Sequence, residues 1–313
     1  MTGTATSELV SRALEGDRRA IAKVLSLVEQ GVGGAREALA LMHGRTGRAW
    51  TIGMTGAPGA GKSTLTDELV VRLRADGSEV GVLAVDPSSP FSGGAILGDR
   101  VRMQHHTTDT GVFIRSMASR GHLGGLALAT PQSVRVLDAV GKGWIVIETV
   151  GVGQVEVEVA GHADTTIVVV NPGWGDAIQA AKAGLLEIAD IFVVNKADRP
   201  GADDAVRDLK GMLELGRATT WVPPIVRTVA TTGEGVDELY EAIRSHRGHL
   251  ESSGEAETRR RARLREELRG MIAARLLGQA DELCDGPAFD DAVDAVAARE
   301  CDPYAAVDAL LDE

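Results

Sequence analysis

The apolar residues of this chain follow a helical spacing in the first fifty positions and a strand-like pattern after them. Apolar residues that recur every three or four positions are typical of amphipathic helices. Three short helices are predicted in this way, with apolar faces at Leu9–Leu14, Ile21–Val28 and Ala38–Leu41, and Asp17 is a suitable N-cap for the second. Since three such helices are too small for a core of their own, we expect residues 1–48 to be a helical extension packed on a larger domain.

Short, continuous apolar runs appear after this extension, and helix-like stretches separate them. The runs predict strands, which are Trp50–Thr55, Val80–Val85, Trp144–Ile147, Thr166–Val170, Ile191–Val194 and Pro223–Val229. Strands this apolar belong in a sheet that is covered on both faces. The pattern therefore predicts an α/β domain with a mostly parallel sheet over residues 49–250.

The last part of the chain, residues 251–313, is predicted to be a helical arm. Residues Glu251–Glu257 are polar and suggest a hinge. Thr258–Leu277 is rich in Arg, Glu, Leu and Ala and predicts one long helix. A break at Gly286-Pro287 precedes a final helix that includes Ala292–Val296.

Composition and charge restrict the classes of partner. The net charge is −12 and no long basic tract is present, which argues against nucleic acid as the main partner. No apolar run is long enough to span a membrane, and the amino terminus lacks the pattern of a secretory signal. Cys284 and Cys301 form neither a metal-binding pair nor a disulfide framework, which suits a reducing compartment. We therefore expect a cytoplasmic protein.

One short segment between the first predicted strand and a helix has the phosphate-loop pattern GxxxxGK[ST]. The segment consists of Gly56, Ala57, Pro58, Gly59, Ala60, Gly61, Lys62, Ser63 and Thr64. Its glycines allow backbone N–H groups to surround a phosphate, and the helix N-terminus favours negative charge. Lys62 is suited to reach the β- and γ-phosphates, and the Ser63 hydroxyl to bind Mg²⁺. The alternative interpretation is a glycine turn without function.

Two further loops follow predicted strands and suggest that the base is guanine. Asn195, Lys196 and Asp198 form an NKxD pattern, in which the carboxylate accepts two hydrogen bonds that guanine offers and adenine does not. Asn195 would brace the loop, and the Lys196 stem would lie over the base. The alternative is that Asn195 and Asp198 are ordinary turn and cap residues. A later segment, which comprises Val229, Ala230 and Thr231, corresponds to the last guanine loop, where the Ala230 N–H would meet the guanine O6.

Three acidic residues are candidates for the metal site. Glu148 ends an apolar strand at the position of the usual DxxG aspartate. In the same motif, the backbone N–H of Gly151 would donate a hydrogen bond to the γ-phosphate. Asp86 ends another strand, and Asp99 follows a Pro/Ser/Gly-rich segment. From the residues alone, Asp86 could equally be a helix cap and Asp99 a surface charge. A strand-end surface carboxylate is the alternative for Glu148, but the apolar strand before it and the Gly-rich loop after it favour the metal site.

The whole pattern resembles the MeaB/ArgK-type GTPases, which are chaperones associated with methylmalonyl-CoA mutase. The run DPSSPFSGGAILGDRVRM is the most specific part of the resemblance, together with GAPGAGKST, ETVGVGQ and NKAD in this order. The resemblance implies a P-loop fold, GTP/GDP binding, catalytic roles for Lys62, Asp99 and Glu148, and Mg²⁺ ligands. These ligands would be Ser63, Asp86, Asp99 and Glu148. It also implies a partner switch, which comprises Gly175, Asp176, Gln179 and Lys182, and a homodimer formed by the C-terminal arm.

The function that this resemblance implies is a GTPase that couples hydrolysis to cofactor loading of an adenosylcobalamin-dependent acyl-CoA mutase, and to its protection or reactivation. Methylmalonyl-CoA mutase is the first candidate, and isobutyryl-CoA or 2-hydroxyisobutyryl-CoA mutase are alternatives. A nickel-insertion GTPase is a second class, which would need a Cys/His cluster that the sequence lacks near the switch. A kinase that acts on a transport system is a third.

Overall fold

The computed structural model describes most of the chain. The described residues are 3–31, 33–87, 106, 108–119, 125–149, 162–173, 188–215 and 220–311. Contacts within the chain divide it into two units, Met1–Arg263 and Leu264–Glu313. The domain boundary expected after residue 250 lies within a helix of the first unit.

Seven parallel strands form the sheet of the first unit. In chain order they are β1 (Trp50–Gly56), β2 (Val80–Pro87), β3 (Val112–Ser119), β4 (Trp144–Thr149), β5 (Thr165–Val170), β6 (Ile191–Asn195) and β7 (Ile225–Thr228). Their spatial order is β3-β2-β4-β1-β5-β6-β7. The central strand, β1, pairs with β4 on one side and β5 on the other, so the strand order reverses at the segment that follows it.

Helices cover both faces of this sheet. They are α1 (Gly3–Leu14), α2 (Arg18–Gln30), α3 (Ala35–Met42), α4 (Lys62–Ala75), α5 (Gly125–Ala139), α6 (Ala202–Leu215) and α7 (Val236–Ser253). Three more helices, α8 (Glu255–Cys284), α9 (Pro287–Ala297) and α10 (Pro303–Leu311), complete the described chain. Among the described residues, no helix combines the length and apolarity needed to cross a membrane.

The apolar side chains of β1 show how the two faces are filled. Every residue of β1 is buried, and Ile52 and Met54 pack with Leu65 of α4 and Leu239 of α7 in one core cluster. The opposite face of the sheet packs against α1–α3 and α5 in a second cluster. The sheet is thus buried on both sides, as its apolar strands predict.

The N-terminal helices lie on the main core, as expected. Asp17 caps α2, since its carboxylate accepts hydrogen bonds from the N–H groups of Arg19 at 2.8 Å and Ala20 at 3.2 Å. One detail of the predicted α3 face is wrong. Leu41 is 48% exposed, whereas Met42 is fully buried, because Met42 shares the buried face of Ala35 and Ala38 at helical spacing and Leu41 lies beside that face.

The predicted hinge at 251–257 contains a turn, but a much shorter one than expected. Helix α7 continues to Ser253, Gly254 takes a left-handed conformation at its C-cap, and α8 begins at Glu255. A single glycine therefore makes the turn, and the polar residues around it are helical. Polar composition misleads here because exposed helix ends and loops share it.

Candidate functional site

The carboxyl ends of the parallel strands bring the predicted nucleotide residues to one edge of the sheet. The phosphate loop follows β1, Glu148 is near the end of β4, the NKxD motif begins at the end of β6, and Ala230 follows β7. Glu148 pairs in register with Met54 of β1 and Ala84 of β2, so it lies beside the entry to the phosphate loop. Open α/β sheets bind ligands at this edge, where the strand order reverses.

Two glycines of the phosphate loop are required by the backbone around them. Gly56 has a φ of +132°, and a Cβ at this position would lie 2.0 Å from the carbonyl oxygen of Val169 on β5. Gly61, the N-cap of α4, has a φ of +93°, and its Cβ would lie 2.4 Å from Asn195 Nδ2. The first glycine permits close packing on β5, and the second permits contact with the NKxD motif.

Lys62 is the first residue of α4, and its side chain is buried with 6% exposure. Its ammonium donates hydrogen bonds to the carbonyl oxygens of Gly56 at 2.7 Å and Ala57 at 3.1 Å. The charge therefore lies against the start of the phosphate loop. A phosphate oxygen would compete with these neutral carbonyls, and charge-assisted bonds are the stronger kind.

Ser63 and Glu148 meet directly, although they are far apart in the sequence. The Ser63 hydroxyl donates a 2.5 Å hydrogen bond to Glu148 Oε1, and Glu148 is 1% exposed. Mg²⁺ prefers oxygen ligands and uses one or two carboxylates together with substrate phosphates. This pair of oxygen donors beside the phosphate loop fits that ion. Within the described residues, no group of three His, Cys, Asp or Glu side chains is placed to hold a metal.

Asn195 joins three loops of the site through one buried amide. Its Nδ2 donates to the carbonyl oxygen of Ala60 at 2.7 Å. Its Oδ1 accepts from the Thr228 hydroxyl at 3.0 Å and from the Ala230 N–H at 3.1 Å. Asn195 is 2% exposed, so these bonds form out of contact with water. The arrangement agrees with the predicted bracing role and extends it to the loop after β7.

The Ala230 N–H has a partner that the sequence did not indicate. We expected this group to face guanine O6, whereas it donates to Asn195 Oδ1. A guanine would have to share this donor with Asn195. Val229 holds the same loop closed, since its N–H donates to the Glu234 carbonyl at 2.9 Å, and Thr231 is exposed.

Lys196 and Asp198 complete the NKxD motif. Lys196 has a φ of +58°, and its ammonium donates to the carbonyl oxygen of Gly59 at 2.7 Å. The lysine stem thus spans the distance between β6 and the phosphate loop. Asp198 lies in the following turn and is exposed, so its carboxylate is accessible to a ligand.

Several predicted residues lie outside the described part of the chain. These are Asp99, Gly151, Gly175, Asp176, Gln179 and Lys182. Asp86 lies at the end of β2, as predicted, in register with Ala118 of β3. Its side chain is not among those described, so its role as a metal ligand stays a prediction.

A cluster that the sequence did not predict lies at the opposite edge of the sheet. Asp164 precedes β5 and is 3% exposed. Both oxygens of its carboxylate accept hydrogen bonds at 3.1 Å from Arg260, and Arg263 donates a further one. Burial alone would raise the pKa of Asp164, but the bond from Arg260 and the charges of Arg263 and Arg260 outweigh it and hold that pKa below its ordinary value.

Asp190, which precedes β6, has a similar environment. Arg259 donates to its Oδ1 at 2.9 Å, and His246 Nε2 lies 3.2 Å from the same oxygen. A carboxylate only accepts, so the His246 proton is assigned to Nε2 and its Nδ1 accepts from Thr165. Burial opposes ionisation of Asp190, but His246 and Arg259 outweigh it, and the pKa of Asp190 is lowered.

The start of α8 is therefore held to the base of β5 and β6 by three arginines. In the sequence these belong to the run Arg259–Arg263, which reads as an ordinary charged helix face. The sequence does contain a signal for this cluster, since a single aspartate, Asp164 or Asp190, directly precedes each of the two apolar strands β5 and β6. Such carboxylates are buried at a strand start and need cationic partners.

Comparison with known proteins identifies relatives of the whole chain. The family model described as methylmalonyl-CoA mutase-associated GTPase MeaB matches residues 21–284. A protein of Pyrococcus abyssi, named as a GTPase, is 49% identical over 310 residues, which cover 98% of this chain and 96% of that protein. The mouse methylmalonic aciduria type A homolog is 33% identical over 271 residues, which cover 80% of this chain and 65% of the mouse protein.

A solved structure shows the same architecture. The crystal structure of a protein titled LAO/AO transport system kinase superposes with a TM-score of 0.73 and 27% identity. The match covers 100% of this chain and 98% of that one. The predicted fold class, a P-loop domain with a parallel sheet, N-terminal helices and C-terminal helices, is thereby confirmed.

Proposed function

Because this chain belongs to the family of methylmalonyl-CoA mutase-associated GTPases and is itself a P-loop GTPase, we propose that it acts as a chaperone of an adenosylcobalamin-dependent acyl-CoA mutase. GTP hydrolysis would be coupled to loading of the cofactor and to protection or reactivation of the mutase. Methylmalonyl-CoA mutase is the first candidate partner, since the family description names it.

One observation carries the nucleotide-binding part of this proposal. Asn195 bonds at the same time to the phosphate loop at Ala60 and to the loop after β7 at Ala230. A base held by Asp198 and a phosphate held near Lys62 would therefore be bound by segments that are already tied together. Such preorganisation reduces the ordering cost of binding.

We assign Mg²⁺ to Ser63 and Glu148, with Asp86 and Asp99 as further candidate ligands. When bound, the ion would neutralise negative charge on the phosphates. Ser63 and Glu148 are hydrogen-bonded to each other at 2.5 Å, so the two oxygen donors are already neighbours beside the phosphate loop. Lys62 supplies a second positive charge and would exchange its carbonyl partners for phosphate oxygens. Asp99, Glu148 and Lys62 are thus the proposed catalytic residues.

The partner switch at 175–182 is proposed on the resemblance alone. Gly175, Asp176, Gln179 and Lys182 would communicate the nucleotide state to the mutase. The segment follows β5, whose residue Val169 accepts a hydrogen bond from the Ala57 N–H at 3.2 Å. A change in the phosphate loop would therefore act on the strand that leads into this segment.

We further propose a homodimer that forms through residues 264–313, with a second copy of this chain as the occupant. Helix α8 has 30 residues, and none of them is buried within the chain. Leu268, Ile272 and Leu276 recur at four-residue intervals along it and are 52%, 61% and 59% exposed. A row of this kind is typical of helix pairs, and burial of leucine and isoleucine side chains would stabilise the pair.

Size-exclusion chromatography with light scattering tests the dimer. The full chain is expected at twice the monomer mass, and Leu268→Glu with Ile272→Glu should return it to the monomer mass. Ala274→Glu, an exposed position on the opposite face of the same helix, is the matched control and should leave the dimer intact. A monomeric wild-type chain, or a dimer that both apolar substitutions leave unchanged, would contradict the assignment.

Neither alternative function gains support from the described residues. A nickel-insertion GTPase would need a cluster of soft or imidazole ligands. The described part of the chain holds no such group, Cys284 is exposed, and Cys301 lies apart from it in the sequence. A transport-system kinase shares the fold, but the NKxD motif with its exposed Asp198 carboxylate favours a guanine nucleotide.

Complex formation with methylmalonyl-CoA mutase tests the proposed partner. Analytical ultracentrifugation would compare mixtures of the two proteins with GDP and with a non-hydrolysable GTP analogue. We expect a complex whose affinity differs between the two nucleotides, because a switch must bind its partner differently in its two states. The absence of a complex with either nucleotide would refute methylmalonyl-CoA mutase as the partner.

A further inference from the structure

A cavity lies at the amino-terminal edge of the sheet, at the end opposite to the phosphate loop. Its volume is about 350 Å³, near the lower limit of small-molecule sites. The loop before β1 and the turn between α5 and β4 form most of its wall. The side chains used in the argument are Leu14, Arg45, Arg48, Asp138, Val140 and Lys142.

Among the described residues, the one carboxylate that lines this cavity is held by local hydrogen-bond donors. Asp138, at the end of α5, accepts hydrogen bonds from the N–H groups of Gly47, of Arg48 at 3.3 Å and of Ala49 at 3.0 Å. Three amide donors disperse the charge of a carboxylate and hold it in place. Asp138 is 8% exposed, so it contributes little negative surface to the cavity.

The cations that line the cavity, Arg45, Arg48 and Lys142, outnumber the two carboxylates beside them, Asp138 and Glu79. Lys142 is paired with Glu79 and also donates to the carbonyl oxygen of Gly111 at 3.2 Å. The guanidinium groups of Arg45 and Arg48 have neither an ion pair nor a hydrogen bond among the residues that the structure describes. Both side chains are exposed, on a protein whose net charge is −12. The cavity is therefore a local positive site on an acidic protein.

The backbone that carries Arg48 is held from two sides. Its N–H groups bind Asp138, and the carbonyl oxygens of Gly47 and Ala49 accept hydrogen bonds from Arg260 at 3.4 and 3.2 Å. Arg260 in turn binds the buried Asp164. Since this loop is fixed before any ligand arrives, only the arginine side chains have to be ordered on binding.

We propose that this cavity binds a small organic dianion, either a phosphomonoester or a dicarboxylate. Arg45 and Arg48 offer planar, forked donors that suit both groups. Leu14 and Val140 give the cavity an apolar wall that favours an organic ligand over inorganic phosphate. The site is separate from the nucleotide site and does not depend on the proposed chaperone function.

Isothermal titration calorimetry on the full chain tests this site. Mg–GDP is kept in excess so that the phosphate loop is occupied, and phenyl phosphate, succinate and inorganic phosphate are titrated separately. We expect saturable binding of phenyl phosphate or succinate with a dissociation constant of about 1 mM or below, and weaker binding of inorganic phosphate. The probe that binds identifies the ligand class.

Three arginine variants make the test specific. Arg45→Ser and Arg48→Ser should each weaken binding about tenfold, which is the usual effect of losing one charge-assisted hydrogen bond. Arg36→Ser removes an exposed charge from the neighbouring helix α3 and should leave the affinity unchanged. All three should fold and hydrolyse GTP like the wild type, because none lies at the nucleotide site. The site is refuted if neither organic probe binds, or if binding persists when Arg45 and Arg48 are both replaced.

Discussion

Asn195 at the end of β6 donates a 2.7 Å hydrogen bond to the carbonyl oxygen of Ala60 in the phosphate loop. The two residues are 135 positions apart in the sequence, and the bond joins the loop that would read the base to the loop that would hold the phosphates. Gly61 has to be a glycine at this point, because a side chain there would occupy the position of the Asn195 amide nitrogen.

Replacement of Asn195 tests this connection. Asn195→Ala removes three hydrogen bonds and leaves the Ala230 N–H and the Thr228 hydroxyl without their acceptor. Stability should fall by about 1–3 kcal/mol, the usual cost of unsatisfied buried groups, and GDP affinity should fall with it. Urea unfolding and fluorescence titration with a labelled GDP measure the two effects.

Asn195→Asp is the matched variant for the same connection. It keeps an acceptor for Thr228 and Ala230 but brings a negative charge to the Ala60 carbonyl in place of a donor. If the bond to Ala60 matters for binding, the aspartate variant should lose GDP affinity as severely as the alanine variant. An aspartate variant with wild-type affinity would show that the bond is incidental.

Lys62→Ala should abolish GTP hydrolysis. The ammonium lies at the start of the phosphate loop, and no other lysine or arginine of the described residues bonds to Gly56 or Ala57. Phosphate release from the variant should be at the background of the assay, while circular dichroism remains that of the wild type. Turnover at the wild-type rate would remove the phosphate loop from the mechanism.

Asp198→Asn should change the choice of base. An aspartate accepts the two donors of guanine, whereas an asparagine matches xanthine, which has a carbonyl in place of the amino group. The variant should lose affinity for GDP and gain affinity for XDP, with each measured by competition against a labelled nucleotide. Retention of GDP selectivity would mean that the exposed Asp198 carboxylate does not contact the base.

The free energy of unfolding at acidic pH should depend on Asp164. Its folded-state pKa lies below the ordinary value of 3.8, so its ionised form stabilises the folded state. This contribution is fully present above pH 3.8 and is lost as the pH falls through the folded-state pKa. Asp164→Asn should lower the free energy of unfolding at pH 7 by about 2 kcal/mol, a figure that is reduced because Arg260 is partly exposed. The variant should also show a smaller fall in this free energy at acidic pH, which we call the acid branch.

Urea unfolding between pH 7 and pH 2 measures this dependence. Asp204→Asn is a suitable control, because Asp204 forms an exposed ion pair with Arg207 on α6. An acid branch that is as steep in Asp164→Asn as in the control would show that Asp164 does not set it.

The sequence predicted the strands that are apolar throughout, and it missed β3. That strand, Val112–Ser119, contains Arg115, which is only half-buried and pairs with Glu29 of α2 at 2.7 Å. The apolar run of this edge strand, Val112–Ile114, has only three residues before Arg115 interrupts it, which is too short to indicate a strand. Helix α5 was missed as well, and it contains Pro131, which usually signals a helix end.

The chemistry of the nucleotide site was predictable in part. Short motifs indicated each loop, because every loop follows an apolar strand directly. The bonds of Asn195 to Ala60 and Ala230 depend on how three loops meet in space, and local sequence contains no signal for that. The same holds for the Arg260–Asp164 pair, whose partners are 96 positions apart in the sequence.

The rate of phosphate release with and without a mutase tests the central claim most directly. The chain would be incubated with GTP and, separately, with ATP, each alone and with methylmalonyl-CoA mutase, with Lys62→Ala as the background control. The account predicts slow hydrolysis of GTP alone, a several-fold stimulation by the mutase, and no comparable hydrolysis of ATP. Equal hydrolysis of both nucleotides, or a GTP rate that the mutase leaves unchanged, would contradict it.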